Sequence, residues 1–257
     1  VIDVEDDVPQ LISRSDGEEQ YFPGVWDIVH EDALTTGTGA PHDGNPEGGQ
    51  TTTVSGPAGS LSALVNFGAD GPGAFGLSSD VGSMDTQNLM SGGVPLTYVV
   101  VGNVLTASAG GETIFTLTVN ADGSWEFVLR GPIDHPIDDI TYDSEDLPGL
   151  GVDFSGILTA TDGDGDPLAG GFPPNSFVVD IEDDVPVATP LEYDERQQPT
   201  PLVSAQVDED ELPGGIADGD GEGTTTTGVS GTLDAVVSFG ADGPGAFGLT
   251  GSPAAIG

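Results

Sequence analysis

The chain has 257 residues, with 44 Asp plus Glu against three Lys plus Arg, and a formal net charge of -41 at pH 7. That imbalance argues against a nucleic-acid partner, which needs Lys and Arg for phosphate, and against an anionic membrane surface. With no cysteine, disulfides and thiol chemistry are excluded. Apolar runs such as "LTYVVVG" fall far short of the ~20 residues that span a bilayer, so no membrane insertion is expected. A charged fraction of 18% beside a hydrophobic fraction of 36% in strand-like runs favours a folded chain over a disordered acidic one.

In chain order, the segment Val1 to Gln10, "VIDVEDDVPQ", combines an apolar alternation with an acidic exit before Pro9. "VHEDAL" follows at Val29 to Leu34, and then a Gly/Pro-rich loop containing "PHDGNPEGG". "LVNFGADGPGAFGL" at Leu64 to Leu77 lacks the Lys and Ser/Thr of a phosphate-binding loop. It reads as a tight double turn whose Phe67 and Phe75 plug a core, with Asp70 in the turn hydrogen bonding. "LTYVVVGNVLTASA" predicts two strands around a Gly-Asn turn. "TIFTLTVNADGSWEFVLR" alternates apolar and polar residues on both sides of "NADG", the pattern of a hairpin. "FSGILTATDGDGD" and "NSFVVDIEDD" predict strands that end in acidic loops. No sustained 3.6-residue period with caps is present, and 41 glycines and 20 prolines punctuate the short runs. The expected class is all-β, an antiparallel Ig-like or cadherin-like β-sandwich, with Tyr98, Phe115, Trp125 and Phe127 in its core.

The sequence repeats itself. "VIDVEDDVPQ" returns as "VVDIEDDVPV" at an offset of 177 residues (Val4 to Ile181), and "VHEDAL" returns as "VDEDEL" at 178 (Glu31 to Glu209). "FGADGPGAFGL" returns unchanged at 172 (Phe67 to Phe239). Order is preserved, which predicts a tandem array. Residues 1–8 are expected to be the last strand of a preceding repeat, 9–186 a complete β-sandwich repeat, and 187–257 the first part of the next. No basic and apolar leader opens the chain. Because a repeat lacking most of its strands would struggle to close a core, the chain is expected to be a piece of a longer protein, or to be completed by strands of neighbouring chains.

The candidate chemistry is metal binding. In "TDGDGDPL", Asp162, Asp164 and Asp166 alternate on an irregular loop and can aim several carboxylates at one hard cation, for which Ca2+ fits best. Pro167 and Pro173 hold the positions where an EF-hand needs Gly and Glu, so that motif is excluded. The plain alternative is a solvated acidic turn. In "DIEDDVP", Asp180 and Glu182 point opposite to Ile181, and Asp183 and Asp184 fall at the strand exit before Pro186. With Glu209 and Asp210 these acids are candidates for an interdomain calcium site. Glu5, Asp6, Asp7, Glu31 and Asp32 are candidates one repeat earlier, the alternative in both cases being a charged linker. "ADGDGEG" offers Asp218, Asp220 and Glu222, as readily a solvated loop as a ligand loop. Catalysis finds no support: neither G-x-S-x-G nor H-E-x-x-H occurs, His30, His42 and His135 are scattered, and His135 is read as positioning a turn.

Taken together, "VDEDEL", "FGADGPGAFGL", "WEFVLRGPIDHP", "TATDGDGDPL" and "VVDIEDDVP", in this order, resemble the repeats of type I-secreted, RTX-like giant adhesins of Gram-negative bacteria. The copy here is longer than the family's, with "SRSDGEEQYFPGVWDIV" and the "PHDGNPEGG" loop as insertions. The resemblance implies a calcium-stiffened extender of a bacterial surface adhesin, exported through a type I channel, folding on extracellular calcium and serving adhesion or biofilm. Partners would be neighbouring repeats, with surface glycans or matrix reached through other domains. The linker is also similar to cadherin interdomain segments, in which Asp162 and Asp164, Asp183 and Asp184, and Glu209 would be the ligands. Two other functions remain open: a subunit of an extracellular filament assembled by strand exchange, and a glycan-binding module.

Overall fold

The computed structural model describes residues 6–16, 19–37, 51–135, 150–184, 186–205, 207, 212–215, 228, 230–241 and 243–248. The chain divides into two compact units, Val1–Val185 with Gly240–Gly243, and Pro186–Phe239 with Pro244–Gly257. Of the opening segment, residues 6–8 are described and carry no strand.

The principal strands of the first unit are β1 (Gln10–Leu11), β2 (Val25–His30), β3 (Thr53–Gly56), β4 (Val65–Asn66), β5 (Ala74–Leu77) and β6 (Thr97–Val101). They continue as β7 (Val104–Ala109), β8 (Glu112–Val119), β9 (Trp125–Leu129), β10 (Leu150–Asp153), β11 (Leu158–Thr161) and β12 (Phe177–Glu182). One antiparallel sheet has the order β6-β7-β8-β9-β3. Facing it through Trp125 and Phe177 is the sheet β10-β12-β2, and β5-β11 and β1-β4 form separate antiparallel pairs. The fold is all-β, as expected, and helix is confined to one four-residue turn at Gly82–Asp85 and short 3-10 turns among the described residues.

Alternation builds the layers, because successive strand side chains point to opposite faces. In β9 the odd positions Trp125, Phe127 and Leu129 are buried, and Glu126 faces water. The β8–β9 hairpin pairs Val119 with Trp125, and its turn closes through Asn120 N–H to the Ser124 carbonyl at 2.8 Å. Gly123 occupies the turn at φ +77°, a left-handed conformation that glycine adopts without strain. Across the sandwich, Phe115 and Phe127 meet Phe154 at ring separations of 6.0 and 5.9 Å, and Trp125 meets Phe177 edge-on at 5.0 Å. Tyr98, Phe115, Trp125 and Phe127 are all buried, and Phe154 and Phe177 complete the aromatic core. Phe67 and Phe75 also pack edge to face, 5.5 Å apart, with Phe75 buried.

One pairing departs from the antiparallel expectation. β12 and β2 run parallel, in register from Phe177↔Val25 to Glu182↔His30. Parallel neighbours need a long crossover, and here most of the sandwich is that crossover.

In the second unit, β13 (Val187–Ala188) pairs antiparallel with β14 (Val237–Ser238). The registers Val187↔Ser238 and Ala188↔Val237 reproduce Gln10↔Asn66 and Leu11↔Val65 of the first unit at the repeat offsets. Thr189 N–H to Val236 O likewise repeats Ile12 N–H to Leu64 O, each at 2.9 Å. None of this unit's described apolar side chains is buried.

Candidate metal centres

Where β11 ends, the chain turns through Asp162–Asp166 and folds around its own first carboxylate. Asp162 Oδ1 accepts the N–H groups of Gly165 at 3.1 Å and Asp166 at 2.7 Å, and its own N–H donates to the Asp166 carbonyl at 3.0 Å. Gly163 N–H donates to the Asp70 carbonyl at 2.8 Å, which ties the loop to the turn before β5. Gly165 sits at φ +109°, where a side chain would be strained. Asp162 is 5% exposed, and its Oδ2 is shielded from solvent with no N–H or O–H donor directed at it among the described residues.

Two further carboxylates of the loop face an acid from another segment. Ligand oxygens of Asp6, Asp164 and Asp166 lie within 4.8 Å of one another. Asp6 precedes β1, and its neighbour Asp7 is anchored there by accepting Ala69 N–H at 2.9 Å. The charges register this crowding. Burial raises the Asp162 pKa, but the Asp166 and Gly165 N–H groups and contact with Asp164 outweigh it, leaving the group below the usual carboxylate value. Asp164 is pushed up by contact with Asp162, by burial, and by the charges of Asp162, Asp6 and Asp166. Asp166 is pushed up by contact with Asp6, by burial, and by the charges of Asp6, Asp162 and Asp70. Three carboxylates so placed can supply part of the shell of a hard cation such as calcium, which takes six to eight oxygens at about 2.3–2.6 Å.

A second group arises from the parallel pair. Because His30 is opposite Glu182 in the register, the residues that follow, Glu31 and Asp183, leave their strands at the same end of the sheet. Glu31 opens a 3-10 turn (Glu31–Ala33) and is fully buried; its Oε1 accepts Ile133 N–H at 2.7 Å. His135 Nε2 bonds the Ile181 carbonyl at 2.9 Å. His135 Nδ1 lies 3.4 Å from Asp183 Oδ1 and 4.0 Å from Glu31 Oε1. His30 Nε2 and Glu182 Oε2 form a separate contact at 3.3 Å.

The remaining candidates have other employment. Asp180 Oδ2 accepts the Trp26 indole N–H at 2.8 Å, and Asp180 and Glu182 do point opposite to the buried Ile181. Asp184 is buried and accepts Ala241 N–H at 2.8 Å, repeating Asp7 with Ala69. Asp32 is buried in the turn after β2. Glu5, Glu209 and Asp210, with Asp218, Asp220 and Glu222, lie outside the described residues. Asp183 therefore meets Glu31 and His135, whereas Asp6 meets the Asp162–Asp166 loop. Sequence reasoning gave His135 a turn role and missed its place beside two acids. The three residues come from three distant segments, and the linear signal is limited to acids that follow strand ends.

Residues 29–170 match a domain of unknown function, DUF5801. The chain belongs to that family. No curated protein and no solved structure matches it. Glu31, His135 and the Asp162–Asp166 loop fall inside the DUF5801 segment, while Asp6 and Asp183 flank it.

Proposed function

We propose that this DUF5801 chain is a calcium-stiffened extender from a large, type I-secreted surface adhesin of the RTX kind, working outside the cell in adhesion or biofilm. The observation that carries this reading is the meeting of Asp6 with Asp164 and Asp166. Asp6 lies in the lead-in before β1 and the other two on a sandwich loop, so an ion among them fastens the lead-in to the sandwich. The acidic lead-in recurs as "DIEDDVP", and the local pairing that follows it recurs too, which supports a tandem array of such joints. Without calcium the carboxylates repel and favour an open, exportable chain; calcium removes that repulsion and adds its binding energy to folding.

Thermal melting with calcium, with magnesium and with chelator tests the proposal. Calcium at a hundred times its Kd adds about 2.7 kcal/mol of stability. A melting temperature that chelation leaves unchanged rejects the calcium role. A filament subunit is the second reading, favoured by the edge strand β6, where Val99 and Val101 are 58% and 73% exposed. Light scattering separates the two, since an extender keeps one mass on concentration and a filament subunit polymerises.

A further inference from the structure

Beyond the calcium joint, and independently of it, Glu31, His135 and Asp183 carry a chemistry of their own. A carbonyl can only accept, so the bond to Ile181 O places the ring proton of His135 on Nε2. In the neutral ring Nδ1 then presents a lone pair, and it faces Asp183 Oδ1 at 3.4 Å and Glu31 Oε1 at 4.0 Å. Nδ1 and Asp183 Oδ1 are both closed to solvent, and Glu31 is fully buried. Nδ1 and Asp183 Oδ1 are two buried electron-pair donors with no hydrogen-bond partner among the described residues, and two electron pairs so placed repel one another unless a positive centre sits between them.

The supporting contacts hold the donors in that arrangement. Ile133 N–H fixes Glu31 Oε1, and the Ile181 carbonyl fixes the imidazole, the outer-shell pattern that orients metal-binding histidines. Asp134, next to His135, accepts the N–H groups of Gly92 at 2.6 Å and Gly93 at 2.7 Å and so anchors the segment. A cavity of about 360 Å³, lined in part by Asp134, His135 and Asp183, leaves room for water on one side. A tetrahedral ion bonded at about 2.0–2.2 Å sets its ligand atoms about 3.4 Å apart, which is the separation of His135 Nδ1 from Asp183 Oδ1, while Glu31 Oε1 stands farther off at 4.0 Å.

We propose that Glu31, His135 and Asp183 form a second metal centre that takes a divalent first-row ion of the zinc class, with water in the remaining position. One nitrogen and two carboxylates suit such an ion better than calcium, which prefers oxygen alone.

Cobalt(II) is the probe, because its visible absorption reports both binding and tetrahedral geometry. The 257-residue chain, saturated with calcium so that the acidic loop is occupied, is titrated with cobalt and then with zinc in competition. The expected result is one equivalent of cobalt with tetrahedral bands, displaced by zinc. His135→Gln and Asp183→Asn should each weaken uptake about 100-fold or more, and Glu126→Gln, on the exposed face of β9, should leave it unchanged. If His135→Gln fails to fold by circular dichroism, Asp183→Asn, whose side chain is 21% exposed, decides. No uptake by the wild-type chain, as when a proton rather than an ion occupies Nδ1, overturns the proposal. Uptake that neither variant diminishes overturns it as well.

Discussion

Asp162 holds two backbone N–H groups on one oxygen and its carboxylate lies against Asp164, so a single side chain both folds the loop and charges it. Its neighbours show the cost in their titration. Asp164 and Asp166 have pKa values above the ordinary 3.8, so the native state keeps protons that the unfolded chain has already lost. Their contribution to stability therefore falls as pH rises from about 3.8 through their raised values. Asp162, shifted the other way, contributes stability above 3.8 that is lost as pH drops through its lowered value. A crossover follows for Asp164→Asn and Asp166→Asn together: more urea-resistant than wild type at neutral pH without calcium, less resistant with it. A double variant weaker in both buffers contradicts the ionic account. Gly165→Ala tests the loop's backbone, since nothing crowds the added methyl but φ is +109°; a loss of about 1–3 kcal/mol in urea unfolding is expected.

Among the elements, the hairpins were legible in the sequence because their code is local. Alternation over β8 and β9 and the glycine of the turn between them specify register without reference to the rest of the chain. The acidic loop was legible for the same reason, its three aspartates being contiguous. The parallel union of β2 with β12 was not, because it joins residues about 150 apart and rests on which faces remain uncovered once the hairpins form. The Glu31–His135–Asp183 group inherits that obscurity, as it exists only once the union is made. The facing aromatics give the test of layer packing. Phe154 and Phe177 are fully buried, and Phe154→Ala or Phe177→Ala should cost about 3–5 kcal/mol by chemical denaturation. Gly56 provides a steric counterpart: a Cβ there would stand 2.1 Å from the Trp125 indole nitrogen, so Gly56→Ala must displace the ring.

For the molecule as a whole, the repeat offset gives Asp6 and Asp183 the same place in two copies of one motif. Asp6 joins the acidic loop that comes after it, and Asp183 joins the histidine group that comes before it. On the proposed array, a linker acid thus serves two centres, one on each side, and calcium should raise the melting temperature of a two-repeat chain more than that of one repeat. The parallel ladder from Val25–Phe177 to His30–Glu182 has a mechanical consequence. Tension that enters near the first of these strands and leaves by the last pulls them along their lengths in opposite senses. All the rungs are loaded together rather than peeled one after another, as they are when a hairpin is drawn open at its ends. Once the two-residue Gln10–Leu11 ladder has given way, the sandwich should resist stretching and then rupture in one abrupt event in single-molecule pulling.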